Sequence, residues 1–288
     1  YWQQVWCNKN NSINRDLKHS QKLVSNHSIS KVIVESKTGI IAIDNAVNEL
    51  YKTGYMHNHL RMYIASLSCN IAQSHWKIPA HWMYYHLLDA DWASNALNWQ
   101  WVAGTNSNKK YFANQKNINR FCFTNQKETF LDVPYEDFST FDIPEVLKKC
   151  ISIVLKTPLP NQEHLEIDSA LPSCIYNIYN LDPLWRKDDT INRILLLEPS
   201  HFENYPISQK TIDFIIKLSK DNINNIQIYV GEFNALVSEH KLKSIFFKEH
   251  PLNTHYKGTE DARDWMFEVN GYFPSFFSFW KKCEKQLR

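Results

Sequence analysis

TGYMHNHLRMYIAS (53–66) and DADWASNALNWQWVAG (89–104) are the two stretches whose reading decides this fold. In the first, Met56, Leu60, Tyr63, Ile64 and Leu67 recur at spacings of three and four, which predicts a buried helix opening near Tyr55. Arg61 lies among them. A guanidinium buried without a partner costs roughly several kcal/mol, so this helix must meet a carboxylate. The candidates stand at the end of the next helix, which Pro79 opens and which runs through Trp82, Met83, Tyr85, His86 and Leu88 to Asp89 and Asp91. The turn DADWASN then starts a third helix, SNALNWQW, with Ser94 as its cap.

Working outward, Ile41 to Tyr51 reads as a helix with Ile43, Val47 and Leu50 on one side and Gly54 ending it. Asp44 and Asn45 could approach a ligand, although an aspartate early in a helix is most simply a favourable dipole contact. Asn8 to Ser36 is polar and predicts a loop with one short extended segment, KVIVES (31–36). Downstream of Gly104, Lys109, Lys110, Lys116 and Arg120, with Tyr111 and Phe112 between them, could track a phosphate backbone; a solvated loop is the plainer reading. Residues 133–149 predict a loop followed by a short helix.

The composition changes between Lys156 and Ser173, where TPLPNQEHLEIDSALPS has three prolines and no periodicity. Beyond it, RILLLEP (193–199), IQIYVGEF (226–233) and SIFFKEH (244–250) are apolar runs of strand length. Helical segments near Ser208–Lys220 and Phe233–Lys241 separate them, with Ser208 as a cap and Ile212, Ile215, Ile216 and Leu218 as a buried side. This order predicts a small three-stranded parallel sheet with right-handed crossovers. Glu198, Glu232 and Glu249, with His250 beside it, fall at the strand ends where ligands of such sheets bind, but no glycine-rich phosphate loop accompanies them. From Asp261 the chain reads as an aromatic helix pair broken at Gly271 and Pro274, a candidate dimer surface. The expected organisation is a helical core over 1–155, a linker over 156–173 and a small α/β domain with C-terminal aromatic helices over 174–288.

A length of 288 residues allows about two domains, and 43% hydrophobic residues with ten tryptophans can fill their cores. A net charge of +2 is too small to mark a general nucleic-acid binder, so any such contact must be a local patch. Mean hydropathy of −0.46 and the lack of a long apolar run argue against a spanning helix. Six cysteines at 7, 69, 122, 150, 174 and 283 show no C-x-x-C, which favours reduced thiols in a cytoplasmic protein over disulfides, a zinc site or an iron–sulfur cluster. His57, His59, His81 and His86 read as helix residues, not metal ligands.

GYMHNHLRM (54–62), a tryptophan thirteen residues before D-x-D, and N-x-x-x-W-Q-W-V-A-G-T (95–105) together resemble the flavin-binding core of the photolyase and cryptochrome family. TGIIAIDNAVNEL (38–50) resembles that family's TGYPIVDAAMRQL segment, and the likeness runs from about Tyr1 to Asn119. It implies an all-helical FAD-binding core in which Arg61 and Asp89 pair against the isoalloxazine, Asp91 bonds its polar edge and Asn95 faces its N5. A neutral amide there can donate or accept as the flavin changes redox state. The resemblance further implies Trp99 as first electron donor with Trp76 behind it, Met62 and Trp101 lining the cavity for a flipped-out dinucleotide, and Asn58 beside both cofactor and substrate. For Trp76, Trp82, Trp99 and Trp101 the alternative is core packing, and for Arg61 with its carboxylates a structural ion pair.

The activity implied is light-driven electron transfer from FAD that repairs cyclobutane pyrimidine dimers in UV-damaged DNA, single- or double-stranded, as a deoxyribodipyrimidine photo-lyase. Met62 favours that branch over the (6-4) branch. The opening YWQQVW is similar to the end of the family's W-R-[DE]-[FY]-[YW] motif. Its T-x-L-S run for the diphosphate, its dimer-binding glutamate and the tryptophan opposite the counterpart of Trp101 do not occur in this sequence. Two readings follow, a piece of a longer protein or a short relative with a half-built flavin site. The family's distal tryptophan also has no counterpart between Trp6 and Trp76, so a tyrosine, Trp6 or Trp82 would have to extend the relay. The alternatives are a non-catalytic blue-light photoreceptor or binding scaffold, and a small-ligand enzyme sited on the α/β half.

Overall fold

The computed structural model describes residues 1–140 and 142–287, which form two compact units. One contains residues 9–155 with Trp2; the other contains Tyr1, Gln3–Asn8 and residues from 156 onward. A first helix, α1 (Trp2–Lys9), therefore has most of its length in the second unit.

In the helical unit, strands β1 (Ile29–Ser30) and β2 (Cys150–Ile151) pair antiparallel and tie its two sequence ends together. KVIVES does not continue as a strand. Lys31–Val34 form a single helical turn, α2, closed by the Glu35 amide on the Lys31 carbonyl at 2.9 Å. One turn suffices to bury Ile33, and it sets Lys31 against Glu35 at 3.3 Å across an i,i+4 spacing. Helix α3 (Ile41–Thr53) buries Ala42, Ile43, Ala46, Val47 and Leu50. The Asp44 carboxylate is engaged at the start of this helix: it accepts from the Thr38 amide and hydroxyl and from the Gly39 amide. Gly54 closes α3 in the left-handed region at φ 76°, with its amide on the Leu50 carbonyl.

Helix α4 (Asn58–Ser66) opens with His57 as cap and passes into a π turn over Leu67–Ile71, all of it buried. Asn70 in that turn donates to the carbonyls of Val102 and Tyr111 at 2.9 and 2.7 Å, which satisfies backbone groups beneath the next helices. Helix α5 (Lys77–His86) buries Trp82, whose indole N–H donates to the Tyr51 hydroxyl. Helix α6 (Trp92–Ala103) is buried over nine of its residues and packs on both α4 and α5. Its cap is Asp91, which accepts from the Ser94 amide at 2.6 Å, and not Ser94 itself: the chain turns helical three residues earlier than the SNAL run suggests. Helices α7 (Gln115–Cys122) and α8 (Glu145–Lys148) complete this unit.

The second unit is built on five parallel strands, not three: β3 (Ser173–Tyr176), β4 (Asn192–Leu197), β5 (Ile226–Val230), β6 (Ile245–Lys248) and β7 (Thr259–Asp261), in the order β5-β4-β3-β6-β7. Strands β3 and β7 escape sequence reading because SCIY is short and TED carries no apolar residue to alternate. Helices α9 (Pro199–Asn204), α10 (Gln209–Asn222) and α11 (Phe233–Glu239) follow the strands. Ser208 caps α10 and Ile212 and Ile215 are buried, whereas Leu218 faces outward because Ser219 takes the inner position one residue on. Residues 156–173 are tied to the sheet: Leu165 joins its core, and Gln162 and Glu166 bond to β5. The aromatic tail forms one helix, α12 (Phe276–Cys283), in place of a pair, since residues 262–275 carry glycine and proline and remain irregular. All six cysteines are free, and among the described residues no helix is long and apolar enough to cross a membrane.

Two expected outcomes follow from this packing. A Cβ at Gly54 would sit 2.6 Å from Leu88 Cγ on a left-handed backbone, so Gly54→Ala lowers stability by more than about 1 kcal/mol, read from chemical unfolding midpoints. Burial pushes the pKa of His81, whose ring lies tilted 4.2 Å from that of Trp92, down to about 4. Its unfolded form binds a proton near the ordinary histidine value of about 6.5, so stability falls as pH drops from there toward 4. His81→Gln flattens that slope by on the order of 1–3 kcal/mol in a pH series of unfolding curves.

Candidate functional site

The three helices α4, α5 and α6 meet around a cleft with about 450 Å³ of open space. Asn58, Arg61 and Met62 reach it from α4, Asp89 and Asp91 from the turn after α5, and Asn95 and Trp99 from α6. Seven of the nine residues singled out from sequence are thus brought to one place. The periodicities explain it: 58, 61 and 62 lie on one face of α4, and 91, 95 and 99 recur every fourth residue along α6.

At the mouth, one terminal guanidinium nitrogen of Arg61 contacts both carboxylate oxygens of Asp89 at 2.9 Å. Arg61 Nε donates to the Met56 carbonyl at 2.7 Å, which holds the guanidinium in place from the helix side. The Arg61 side chain is 24% exposed and that of Asp89 58%, so the pair is wet on the carboxylate side and contributes little to folding. Asp91 is committed at one oxygen to capping α6. Asn95, buried on the floor, donates its amide nitrogen to the Ala80 carbonyl at 2.8 Å. The amide is thereby oriented, and its oxygen remains as an acceptor toward the cleft. Trp99 is 2% exposed and its indole N–H is buried with no partner among the described residues.

The other two residues lie outside the cleft lining. Trp76 is fully buried, with its indole N–H on the Asp16 carboxylate at 2.8 Å; Asp16 also accepts from the Gln21 amide and approaches His75. Trp101 is 39% exposed and turned toward Tyr111, because two residues along a helix from Trp99 is about 200° of rotation. Asn98 and Ser94 line the cleft and were missed; the spacing of Asn98, seven residues after Asp91, was the available signal. Of the basic candidates, Lys109, Lys116 and Arg120 are exposed, whereas Lys110 turns its amine inward, where burial lowers its pKa, and leaves the phosphate track. Among the described residues no three His, Cys, Asp or Glu are grouped to hold a metal.

A cleft with an ion pair at its mouth, an oriented amide on its floor and an indole in its wall defines a helical cofactor domain for a planar, polar, redox-active group. The chain belongs to the family described as the FAD binding domain of DNA photolyase, whose profile matches residues 2–150. It is similar to deoxyribodipyrimidine photo-lyase of Agrobacterium fabrum (strain C58 / ATCC 33970), 38% identical over 82 residues, which are 28% of this chain and 17% of that protein. The same enzyme of Streptomyces griseus is 40% identical over 73 residues, 25% of this chain and 16% of its own length. Cryptochrome-1 of Arabidopsis thaliana is 32% identical over 78 residues, 27% of this chain and 12% of that protein. The chain thus spans less than a fifth of the length of these relatives, and no solved structure matches it.

The donor set fits the isoalloxazine end of FAD: an amide, a carboxylate and a guanidinium line a narrow slot with the Trp99 ring in its wall. The diphosphate end finds less, since Arg61 is the one cationic side chain of the cleft lining and Asp89 already pairs with it. Separating structural from binding roles is direct. Asp91→Ala lowers stability by about 1 kcal/mol through loss of the cap and Asp91→Asn restores most of it, while Asp89→Asn stays within about 1 kcal/mol of the parent in the same unfolding measurement.

Proposed function

We propose that the helical unit binds FAD in this cleft and that the protein repairs cyclobutane pyrimidine dimers in UV-damaged DNA by light-driven electron transfer, as a deoxyribodipyrimidine photo-lyase. The observation that carries the reading is the convergence of Arg61, Asp89, Asn95 and Trp99 on one slot. When bound, the flavin supplies a photoexcited electron donor or acceptor. Arg61, pinned by Met56 and Asp89, presents positive charge to the electron-rich side of the ring, and the guanidinium is restrained before any ligand arrives. Asn95 offers its oxygen to a protonated ring nitrogen, with its own nitrogen held by Ala80. Asp91 has one oxygen on the helix cap and is the acceptor nearest the polar edge of the slot.

Trp99 would be the first electron donor to a bound, photoexcited flavin, with Trp76 behind it to return that electron to the oxidised Trp99. The Asp16 carboxylate on the Trp76 indole N–H favours positive charge there and can take the proton that an oxidised indole releases. Next to Trp76 stand His75 and, stacked on it, His27, neither of which is readily oxidised, and Trp82 is bonded to Tyr51. Trp82 and the tyrosines Tyr51, Tyr84 and Tyr85 are the further oxidisable side chains that α3 and α5 offer to extend the relay. Met62 in the lining suits an apolar, flipped-out dimer, and the exposed face of Trp101 offers a base about 1–3 kcal/mol of stacking. Single-stranded DNA requires the least unstacking. A cytoplasmic setting accords with six free thiols.

The single, already paired cation of the slot favours a second reading, a blue-light receptor or scaffold in which flavin binds weakly and no repair follows. The purified chain mixed with FAD should acquire a flavin visible spectrum. Arg61→Ala and Asp89→Ala should each weaken uptake by about ten-fold or more, equivalent to about 1.4 kcal/mol. A protein that stays colourless removes the flavin reading. Trp99→Phe should retain FAD yet slow its photoreduction by at least about ten-fold, followed by absorbance under blue light. Dimer repair in an irradiated oligothymidylate decides the rest: flavin uptake without repair favours the receptor.

A further inference from the structure

The α/β unit has a crevice of its own at the carboxyl ends of its strands. In the order β5-β4-β3-β6-β7 the chain runs outward from β3 through β4 to β5, then returns to the other side of β3 for β6. The connections leaving β3 and β6 therefore diverge, and that opening is where sheets of this topology bind ligands. Two adjoining cavities lie there, with about 530 and 650 Å³ of open space, and Asn177, Tyr179 and Asn253 belong to both.

The first cavity holds a buried ammonium, answered by Asp264 and flanked by Asp261 of the neighbouring strand. Lys248, the last residue of β6, is 9% exposed, and its amine reaches the Ala262 carbonyl and Asp264, both at 3.1 Å. The Asp264 side chain is 81% exposed, so solvent screens it while the cation stays inside. Arg263 also lines this cavity, in a two-bond contact with Glu249. Two further donors are orphaned. His250, 5% exposed, accepts the Leu252 amide at Nδ1, which places its ring proton on Nε2, and that atom has no partner among the described residues. Asn180 Nδ2 is likewise buried and unbonded. The two cations of this lining, Lys248 and Arg263, are matched by Asp264 and Glu249, so the unmet demand is that of the two orphaned N–H groups, and the oxygens of an anionic group would supply their acceptors beside Lys248.

The second cavity is largely aromatic, with Tyr179, Phe202, Tyr205 and Tyr256 in its lining. Tyr179 is backed by His250, stacked at 4.3 Å and 18°. One buried carboxylate marks its base: Glu198, 6% exposed, accepts from the Phe233 amide, the Tyr256 hydroxyl and His255 Nε2 between 2.9 and 3.0 Å. Glu198 is thereby fully engaged and fixes the His255 ring, leaving the other imidazole nitrogen as a recognition group.

We propose that this crevice is a binding site for a mononucleotide-type ligand, a planar heterocycle joined to one anionic group, with the anion at Lys248, His250 and Asn180 and the ring beside Tyr179 and His255. Neither cavity contains residues of the helical unit, so the inference stands independently of the flavin reading. The test is calorimetric titration of the full chain, using adenosine 5′-monophosphate, adenosine and inorganic phosphate as probes, with the Lys248 and Asn180 variants assigning the signal to this crevice rather than to the helical cleft. The monophosphate should bind at least about ten-fold more tightly than adenosine or phosphate. Lys248→Met should remove that advantage, as should Asn180→Asp, which sets a like charge against the anion in a turn outside the sheet and so leaves the strands intact. Circular dichroism checks that both variants fold. Absence of binding at millimolar nucleotide, equal affinity for adenosine and its monophosphate, or an unchanged advantage in folded Asn180→Asp would each overturn the proposal.

Discussion

A helix buried nearly all round has to settle its polar side chains inside the protein, and α6 imposes that requirement on the whole helical unit. Gln100 is fully enclosed and finds the Leu17 amide and the Ile13 carbonyl; Asn95 finds the Ala80 carbonyl. Each bond fixes a neighbouring segment against α6, since a buried amide left unpaired would cost roughly 1–3 kcal/mol. The polar loop over residues 10–21, which looks unstructured by composition, is ordered by the same demand: Asn14 and Asp16 accept the indole N–H groups of Trp92 and Trp76. Core packing and site geometry are one problem here, because the residues that satisfy α6 also aim its face at the cleft.

The cleft divides its labour by burial. Asn95 and Trp99 sit on a dry floor where orientation is fixed by packing, while Arg61 and Asp89 sit at a wet rim where an ion pair stabilises the fold little. A pair that folding hardly needs, yet that Met56 holds in place, is suited to greeting a ligand with its geometry already set. The indole N–H of Trp99 is buried in the wall with no partner among the described residues.

The α/β unit shows the same economy in another architecture. Its sheet interior is apolar and closed, with Ile175, Ile194, Leu196, Phe233 and Phe247 in one cluster, and its polar residues are gathered where the strands end. Glu198, Lys248 and His250 are all buried there, positions that carry an electrostatic cost wherever no partner answers them. Tyr1, with Phe273 and Phe279, belongs to a separate aromatic cluster against α12.

Local pattern determined much of this. The helices carrying Met56 to Leu67 and Asn95 to Trp99 follow from 3.6-residue periodicity, and Gly54 and Ser208 mark ends because their conformations and side chains permit little else; the Arg61–Asp89 pair was legible from an arginine on an apolar helix, although the structure sets it at a wet rim and not in the dry core. The family was likewise legible, since spaced motifs in a fixed order survive without coordinates. Tertiary structure alone decided that Asp91 and not Ser94 caps α6, that Trp101 faces away from Trp99, that Lys110 points inward, and that β3 and β7 extend the sheet to five strands. The reason is common to all of them. Caps and short strands are chosen by bonds between residues distant in sequence, and a side chain's direction depends on what packs against it, neither of which leaves a periodic trace along the chain.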